Sequence, residues 1–199
     1  VEYYWGGKLE QSANITYDKK KIKRIELTVY DYDKSAKERR FSLIPKAISS
    51  KSSSNTQISV ELTWNGDNVS SSKSTASYSG SYSYYDEEYY GYVTVNYSGS
   101  YVYEYTYTYD DKLNPLAGLR SMYVFDEEEG INVSAFSKNN VTSIVLRATE
   151  TETENGETET YTDTWTENYN ITYDGKFPTE IMSMEQGSSY SYTTYYEYE

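Results

Sequence analysis

The stretch Ile171 to Ile181, ITYDGKFPTEI, is the clearest copy of a unit that recurs along the chain. It predicts a strand that ends in an aromatic residue, a tight turn at Asp174-Gly175-Lys176, and a returning strand that opens at Pro178. Gly175 can adopt the positive φ of such a turn, and Pro178 is tolerated at the start of a strand because no ladder donor is needed there. We therefore interpret the unit as a β-hairpin.

The same spacing, an aromatic residue followed five positions later by an apolar residue, recurs along the whole chain. Full copies run from Tyr17 to Ile22, Trp64 to Val69, Phe136 to Val141 and Tyr173 to Pro178. A weaker copy runs from Tyr4 to Leu9, and a copy shifted by one residue runs from Tyr109 to Pro115. Repeated hairpins joined by stretches with a two-residue period predict a single all-β domain over residues 1–199, built of antiparallel strands.

Two segments are predicted to depart from strand structure. Asn114 can cap a helix and Pro115 can occupy its first position, so the sequence predicts one short helix near residues 114–122. Gly118 should limit this helix to one or two turns. The Ser-rich stretch of residues 47–57 has few bulky side chains, and we interpret it as a mobile surface loop.

Composition excludes several classes of function. The chain has 18 basic and 31 acidic residues, a net charge of −13, which argues against binding of nucleic acid or of an anionic membrane surface. It contains no Cys and no His, so thiolate chemistry, imidazole chemistry and zinc sites built on these residues are excluded. We expect no cofactor and no metal site. No stretch has the roughly 18 uninterrupted apolar residues of a transmembrane helix, so we expect no transmembrane segment.

The 27 Tyr residues concentrate in one region of strong alternation. From Tyr97 to Tyr109 the tyrosines share one parity, so a strand would place them on one face. Flat amphipathic rings on a rigid sheet suit the stacking of sugar rings, which makes this face a candidate carbohydrate-binding surface. The candidate ligand-binding residues are Tyr97, Tyr101, Tyr103, Tyr105 and Tyr107. The alternative, which we favour, is that Tyr replaces Phe on a core face that meets water at one edge.

The string YSGSY occurs twice in this region, at residues 78–82 and 97–101. A turn between Asp86 and Gly91 would lay the two copies against each other. Gly80 and Gly99 would then mark places where the long strands bend, or where a neighbouring aromatic ring covers the bare backbone.

The dipeptide Asn155-Gly156 predicts a second long ribbon, because it favours a two-residue type I′ turn. That turn places Leu146 opposite Trp165, and one face near the base should then be dry and apolar, with Trp165 buried in it. The residues of this face are Ile144, Leu146, Tyr161, Trp165 and Tyr169. The opposite face is almost entirely Thr, which resembles an ice-binding array, although a twisted ribbon with a solvent face explains it better.

At the tip of this ribbon, Glu154 should face Glu157 and Glu152 should face Glu159. Such a cluster could bind a hard cation, and two carboxylates across a cleft could act as a glycoside hydrolase. No calcium-loop pattern accompanies the acids, and a chain with 31 acidic residues contains many such pairs. We therefore interpret the tip as solvated. We expect the protein not to be an enzyme, with a carboxylate-based glycoside hydrolase as the remaining alternative.

Three segments, ITYDGKFPTEI, YTYTYDDKLNPLAGL and AFSKNNVTSIVL, are similar to repeats of a family of secreted Bacteroidetes lipoproteins. That family has no known function and a porin-like fold. The resemblance implies an antiparallel sheet curled into a half-barrel or barrel-like shape. It also implies export to the periplasm or cell surface, as an outer-membrane lipoprotein whose lipid-anchored Cys lies upstream of Val1. It brings no catalytic residues.

Two functional hypotheses follow. The first is a non-catalytic cell-envelope protein that binds a carbohydrate or another ligand on its Tyr-rich face. The second is a structural or assembly component of an envelope complex, whose sheet edges pair with a partner protein. Exposure of the Tyr rings distinguishes the two hypotheses, because a binding surface leaves its rings uncovered and a core buries them.

Overall fold

The computed structural model describes residues 2–5, 8–29, 56–86, 90–118 and 136–198, which contain ten strands of one antiparallel sheet. The strands are β1 (Glu2–Trp5), β2 (Lys8–Asp18), β3 (Lys21–Val29), β4 (Thr56–Asn65), β5 (Asn68–Asp86), β6 (Gly91–Leu113), β7 (Asn139–Glu154), β8 (Glu157–Asp174), β9 (Phe177–Glu185) and β10 (Ser191–Tyr195). Their order in the sheet is their order in the chain, so each strand pairs with the next one. The prediction of an all-β antiparallel fold is confirmed.

The sheet is open in the described part of the chain, since β1 and β10 lie at its two ends and do not pair with each other. An open meander agrees with a curved sheet and not with a closed barrel-like shape. Among the described residues, no helix has the length and apolar character needed to cross a membrane.

Four hairpins share one detailed geometry, and they coincide with four copies of the sequence repeat. In each, the aromatic residue pairs directly with the apolar residue five positions later, and the register shifts immediately before the aromatic residue. The pairs are Tyr4–Leu9, Tyr17–Ile22, Trp64–Val69 and Tyr173–Pro178. Where the structure describes the turn, its first residue has a positive φ, at Lys19, Gly66 and Gly175. The bulge and the left-handed turn residue together reverse the chain within two residues.

The two remaining copies of the repeat do not form hairpins of this kind. Residues 109–113 continue β6, and Tyr109 pairs with Val141 of β7. Phe136 precedes β7 and is fully buried. The hairpin expected at Tyr109 is therefore wrong, because residues of the two copies pair with each other across β6 and β7. The strand expected before Phe136 lies outside the described residues.

The predicted short helix is a single 3₁₀ turn, Pro115–Gly118. The Asn114 side-chain oxygen accepts a hydrogen bond from the Leu116 N–H at 2.9 Å, as expected of a capping Asn. Residues 119–122 of the prediction lie outside the described residues. Residues 47–55 of the predicted loop also lie outside them, whereas Thr56 and Gln57 belong to β4.

One face of the sheet carries the hydrophobic core of the described residues. Alternate positions of β3 and β4 contribute aliphatic side chains to this face, and alternate positions of β6 contribute tyrosines. Fully buried members are Ile25, Leu27, Ile58, Val60 and Tyr101. The opposite face of β5 and β7 consists largely of Ser and Thr, so the two-residue period separates a dry face from a wet one.

Candidate functional site

The five candidate ligand-binding tyrosines lie on the core face of β6 rather than on an open surface. Tyr101 is 0% exposed, Tyr103, Tyr105 and Tyr107 are also buried, and Tyr97 is partly buried. A sugar ring needs an uncovered aromatic face to stack on, and four of these five rings are covered by the protein itself. Their placement agrees with the alternative interpretation, in which the Tyr row is part of the core.

Small residues on β5 make room for the Tyr row. Three consecutive tyrosines each stand opposite a small residue, namely Tyr101 opposite Ala76, Tyr103 opposite Ser74 and Tyr105 opposite Ser72. The Tyr105 and Tyr107 rings stack with centroids 6.2 Å apart and planes 10° apart. Large residues on one strand and small ones on its neighbour fill the space on this face without crowding.

The two YSGSY copies lie against each other as predicted, offset by two residues so that Tyr78 stands opposite Gly99 and Gly80 opposite Tyr97. Each ring covers the glycine of the other copy, because a Cβ placed on Gly99 would come within 3.0 Å of the Tyr78 ring and one on Gly80 within 3.0 Å of Tyr97. The Tyr78 ring also stacks on Tyr101, with centroids 5.3 Å apart. The prediction that aromatic rings cover these glycines is confirmed.

Carboxylates of β7 accept hydrogen bonds from the phenols at the edge of this row. Tyr78 donates to Glu152 at 2.7 Å, and Tyr103 donates to Glu150 at 2.9 Å. Burial raises the pKa of Tyr78 to about 12, with a further contribution from the Glu152 carboxylate. Burial and the Glu150 carboxylate raise the pKa of Tyr103 in the same direction. The buried Tyr101 hydroxyl has no hydrogen-bond partner of normal geometry among the described residues, and burial raises its pKa as well.

The β7–β8 ribbon has the predicted register and turn. Leu146 pairs with Trp165, Glu152 with Glu159 and Glu154 with Glu157. Both turn residues have a positive φ, 51° at Asn155 and 87° at Gly156, as a type I′ turn requires.

The expected burial of Trp165 is wrong, since its side chain is 36% exposed although Leu146 opposite it is buried. The reason is the extent of the neighbouring strands. In the described part of the sheet, β9 pairs with β8 only from Glu167 onward, so Trp165 has a neighbouring strand on the β7 side alone. Membership of the core face is therefore not enough to bury a side chain at this position.

The Thr face of the ribbon carries three cross-strand pairs of hydrogen-bonded hydroxyls. The pairs are Thr149–Thr162 at 3.3 Å, Thr151–Thr160 at 3.2 Å and Thr153–Thr158 at 2.9 Å. With Ser residues of β5 and β6, two of these threonines line a shallow concavity of about 530 Å³. Its lining consists mainly of hydroxyl groups that water can satisfy, and we interpret it as a solvent face.

Several carboxylates of the described residues accept hydrogen bonds within the sheet. Asp110 accepts hydrogen bonds from the Tyr173 hydroxyl and, at 3.2 Å, from the Asn140 backbone N–H. Glu167 accepts one from Tyr169 at 2.7 Å. No three Asp or Glu side chains of the described residues are grouped as a metal site would require.

Two groups of exposed aromatic residues in the described part of the chain were not singled out by the sequence analysis. Tyr85, Tyr90 and Tyr92 surround the turn between β5 and β6, and Tyr192 and Tyr195 lie on β10. Their position in the chain could have indicated this exposure, because a side chain without a third strand beside it is covered on fewer sides. The first group lies at the end of a long hairpin, and the second lies on the last strand of the meander.

No protein-family model, no curated protein and no solved structure matches this chain. The resemblance to Bacteroidetes lipoproteins therefore stays a prediction, and so does the cell-envelope location that it implies.

Proposed function

We propose that the protein is a non-catalytic assembly component of the cell envelope, which joins a partner protein by pairing its edge strand β10 with a strand of that partner. The observation that carries this proposal is the position of β10. It is the last strand of an open sheet, it pairs with β9 alone among the described strands, and all five of its residues are exposed. A strand at the end of an open sheet can be extended by a strand of another chain.

The β10 edge lacks three of the features by which proteins usually protect an edge strand, namely charge, Pro and a bulge, although it is only five residues long. Residues 187–196 contain no charged residue and no Pro. The β9–β10 register has no bulge, whereas the β1–β2 pair at the other end of the sheet has one and β1 is only four residues long. Charges, Pro, bulges and short length discourage edge pairing, so β10 is the edge that supports strand addition.

The assembly hypothesis is preferred over ligand binding on the Tyr row because the rings proposed for that role are buried. The envelope location rests on the sequence resemblance alone. The non-catalytic character rests on the absence of Cys and His from the chain, which removes the commonest nucleophiles and bases.

The test uses single Cys variants, which label one site because the natural chain has no Cys. Thr193→Cys on β10 and Ser100→Cys on the exposed face of β6 carry the same photoreactive group in the native cells. We expect Thr193→Cys, and not Ser100→Cys, to give one discrete cross-linked product. The purified partner should then slow backbone hydrogen exchange of residues 191–195, because new strand pairing protects their amides.

A matched variant separates strand pairing from simple proximity. Thr193→Lys places a charge on the exposed edge and should abolish the exchange protection without altering the free protein. Equal cross-linking from both Cys positions, or no protection of β10 by the isolated partner, would contradict the proposal.

A further inference from the structure

The β7–β8 ribbon carries many carboxylates on the core face of the sheet. Even-numbered residues of β7 and odd-numbered residues of β8 share this face, because Leu146 pairs directly with Trp165. Residues 150–163 contain six acidic residues, all of them on this face, and no Lys or Arg. We call the six residues the acidic surface, and they are Glu150, Glu152, Glu154, Glu157, Glu159 and Asp163. The last three are exposed, so another chain can reach them.

Two exposed aromatic rings lie on β8 beside Asp163. Tyr161 is 56% exposed and Trp165 is 36% exposed, and each is two residues from Asp163, so the three residues share one face. In the described part of the sheet, β9 does not pair with β8 at these positions, which leaves this side of the face open. Aromatic rings next to a carboxylate favour a cationic group, which can contact the rings and the carboxylate together.

A buried hydroxyl lies at the inner edge of the acidic surface. Tyr101 is 0% exposed, pairs with Glu150 across β6 and β7, and stacks on Tyr78, whose hydroxyl donates to Glu152. Burial raises the pKa of the Tyr101 hydroxyl, with further contributions from Tyr78, Glu150 and Glu152. This hydroxyl has no hydrogen-bond partner of normal geometry among the described residues. An ammonium group donates three hydrogen bonds and accepts none, so it complements this oxygen and the two carboxylates beside it.

The same chain carries the complementary charge at the β2–β3 turn. Residues 18–24 contain five cationic residues and one acidic residue. Of the five, Lys21 and Arg24 form ion pairs with acidic residues of the sheet. The other three are exposed and form no ion pair with a described residue; we call them the basic turn, and they are Lys19, Lys20 and Lys23.

The basic turn and the acidic surface lie towards opposite ends of the sheet. Each strand pairs antiparallel with the next one in chain order, so successive turns alternate between the two ends. The β7–β8 turn follows the β2–β3 turn by five connections, an odd number, and it therefore lies at the other end. Within one chain, the basic turn and the acidic surface form no ion pair with each other among the described residues. A second copy is needed to bring them together.

We propose that the acidic surface binds the basic turn of a second copy of this chain, so that the copies join head to tail. Such a contact is heterologous, and it continues from copy to copy unless the rotation between neighbours closes a ring. Complementary charges on the two surfaces give the contact its orientation. This contact is separate from the β10 edge, so either proposal can fail without affecting the other.

The first test measures self-association of the natural protein by sedimentation velocity over a range of protein concentrations. We expect the average mass to rise with concentration in about 20 mM salt. In about 0.5 M salt it should return to the mass of one chain, because the screening length falls from about 20 Å to about 4 Å. A single chain at every concentration in low salt would contradict the proposal.

Two charge-reversal variants test which surfaces meet. The first is Lys19→Glu, Lys20→Glu and Lys23→Glu, and the second is Glu157→Lys, Glu159→Lys and Asp163→Lys. Each variant alone should associate at least about tenfold more weakly, because like charges then face each other. An equimolar mixture should restore association, since each surface then meets one of opposite charge. The second variant also changes the net charge from −13 to −7, as each of its three substitutions adds two positive charges. Weaker general repulsion would therefore strengthen its association.

The matched control is Asp111→Lys, Asp174→Lys and Glu197→Lys, which makes the same change in net charge outside residues 150–163 and should not weaken association. Thr193→Lys on β10 should also associate like the natural protein, which separates this contact from edge pairing. Two further results would overturn the proposal. In the first, the mixture of the two reversal variants stays monomeric. In the second, the natural protein stays monomeric while the peptide Gly-Lys-Gly-Lys-Gly-Lys shifts backbone amides of residues 150–163, which would assign the acidic surface to a different basic partner.

Discussion

Strands β6 and β8 have similar sequence patterns and different surroundings. Residues 101–109 read YVYEYTYTY, with Tyr at every second position, and residues 161–169 read YTDTWTENY, with an aromatic residue at every fourth position, so in each strand the aromatic residues share one face. The aromatic row of β6 is buried, whereas Tyr161 and Trp165 of β8 are exposed. Residues 101–105 of β6 pair with both β5 and β7, whereas β8 around Trp165 pairs with β7 alone in the described sheet. Alternation thus shows which side chains share a face, and the neighbouring strands decide whether that face is covered.

Alkaline pH should have the largest effect, because it acts on the whole buried row of β6. Burial raises the pKa of Tyr78 and Tyr109 from the ordinary value of 10.0 to about 12, and it also raises the pKa of Tyr105 and Tyr107. Since the folded-state pKa lies above the unfolded one, the stabilisation is complete below pH 10 and is lost as the pH rises through 12. We expect cooperative unfolding in this window. Circular dichroism and tyrosinate absorbance should change together. Full ionisation of the tyrosines while the sheet stays intact would contradict the burial of the Tyr row.

Truncation of one ring in the row should have the next largest effect. Tyr101 is completely buried, so Tyr101→Ala should cost about 3 to 5 kcal/mol in the free energy of unfolding. Its hydroxyl has no hydrogen-bond partner among the described residues, so Tyr101→Phe should be neutral or should stabilise the protein by about 1 kcal/mol. Urea unfolding measures both variants. A large loss in Tyr101→Phe would show that the hydroxyl has a partner in solution.

The glycines beneath the rings should be less tolerant than their exposure suggests. Gly99→Ala places a methyl group against the Tyr78 ring and should cost about 1 to 3 kcal/mol, because the ring must move off its position. The same substitution in a Tyr78→Thr background should cost much less. Thermal unfolding of the four proteins forms a double-mutant cycle, and additive effects would show that ring and glycine do not interact.

Trp165→Ala should cost about 1 to 2 kcal/mol, below the roughly 3 to 5 kcal/mol of a fully buried aromatic residue. The reason is that the Trp165 side chain is 36% exposed and has a neighbouring strand on one side only. Urea unfolding of Trp165→Ala and Tyr101→Ala under the same conditions makes the comparison of β8 with β6 quantitative. Equal losses in the two variants would mean that Trp165 is covered in solution as fully as Tyr101.

The smallest effect is expected at the tip of the β7–β8 ribbon. Glu157 is exposed and pairs directly with Glu154, so Glu157→Gln removes a repulsion between like charges. We expect stability to be unchanged or increased by less than about 0.5 kcal/mol. Added millimolar Ca²⁺ should not change the melting temperature of either protein. A lower melting temperature in Glu157→Gln, or stabilisation by Ca²⁺ in the natural protein alone, would indicate a bound cation at the tip.

The local geometry of the hairpins could be predicted from the sequence because it depends on short-range interactions. The five-residue spacing from aromatic to apolar residue specifies the pairs Tyr17–Ile22, Trp64–Val69 and Tyr173–Pro178. Asn155-Gly156 specifies the register of β7 with β8, since both residues favour a positive φ. The two YSGSY strings indicate that β5 pairs with β6 across a hairpin, although they do not choose between Tyr78 and Tyr82 as the residue opposite Gly99. In all three cases the residues that matter lie within a hairpin.

Burial, by contrast, was decided by the tertiary structure alone. The sequence assigned Tyr101 and Trp165 correctly to the core face, but it could not show that Tyr101 has a strand on both sides and Trp165 on only one. For the same reason it could not show that Tyr85 and Tyr92, beyond the last residues paired with β4 and β7, are exposed. The sequence of a strand determines which of its side chains share a face. Whether that face is covered depends on how far strands from elsewhere in the chain extend alongside it.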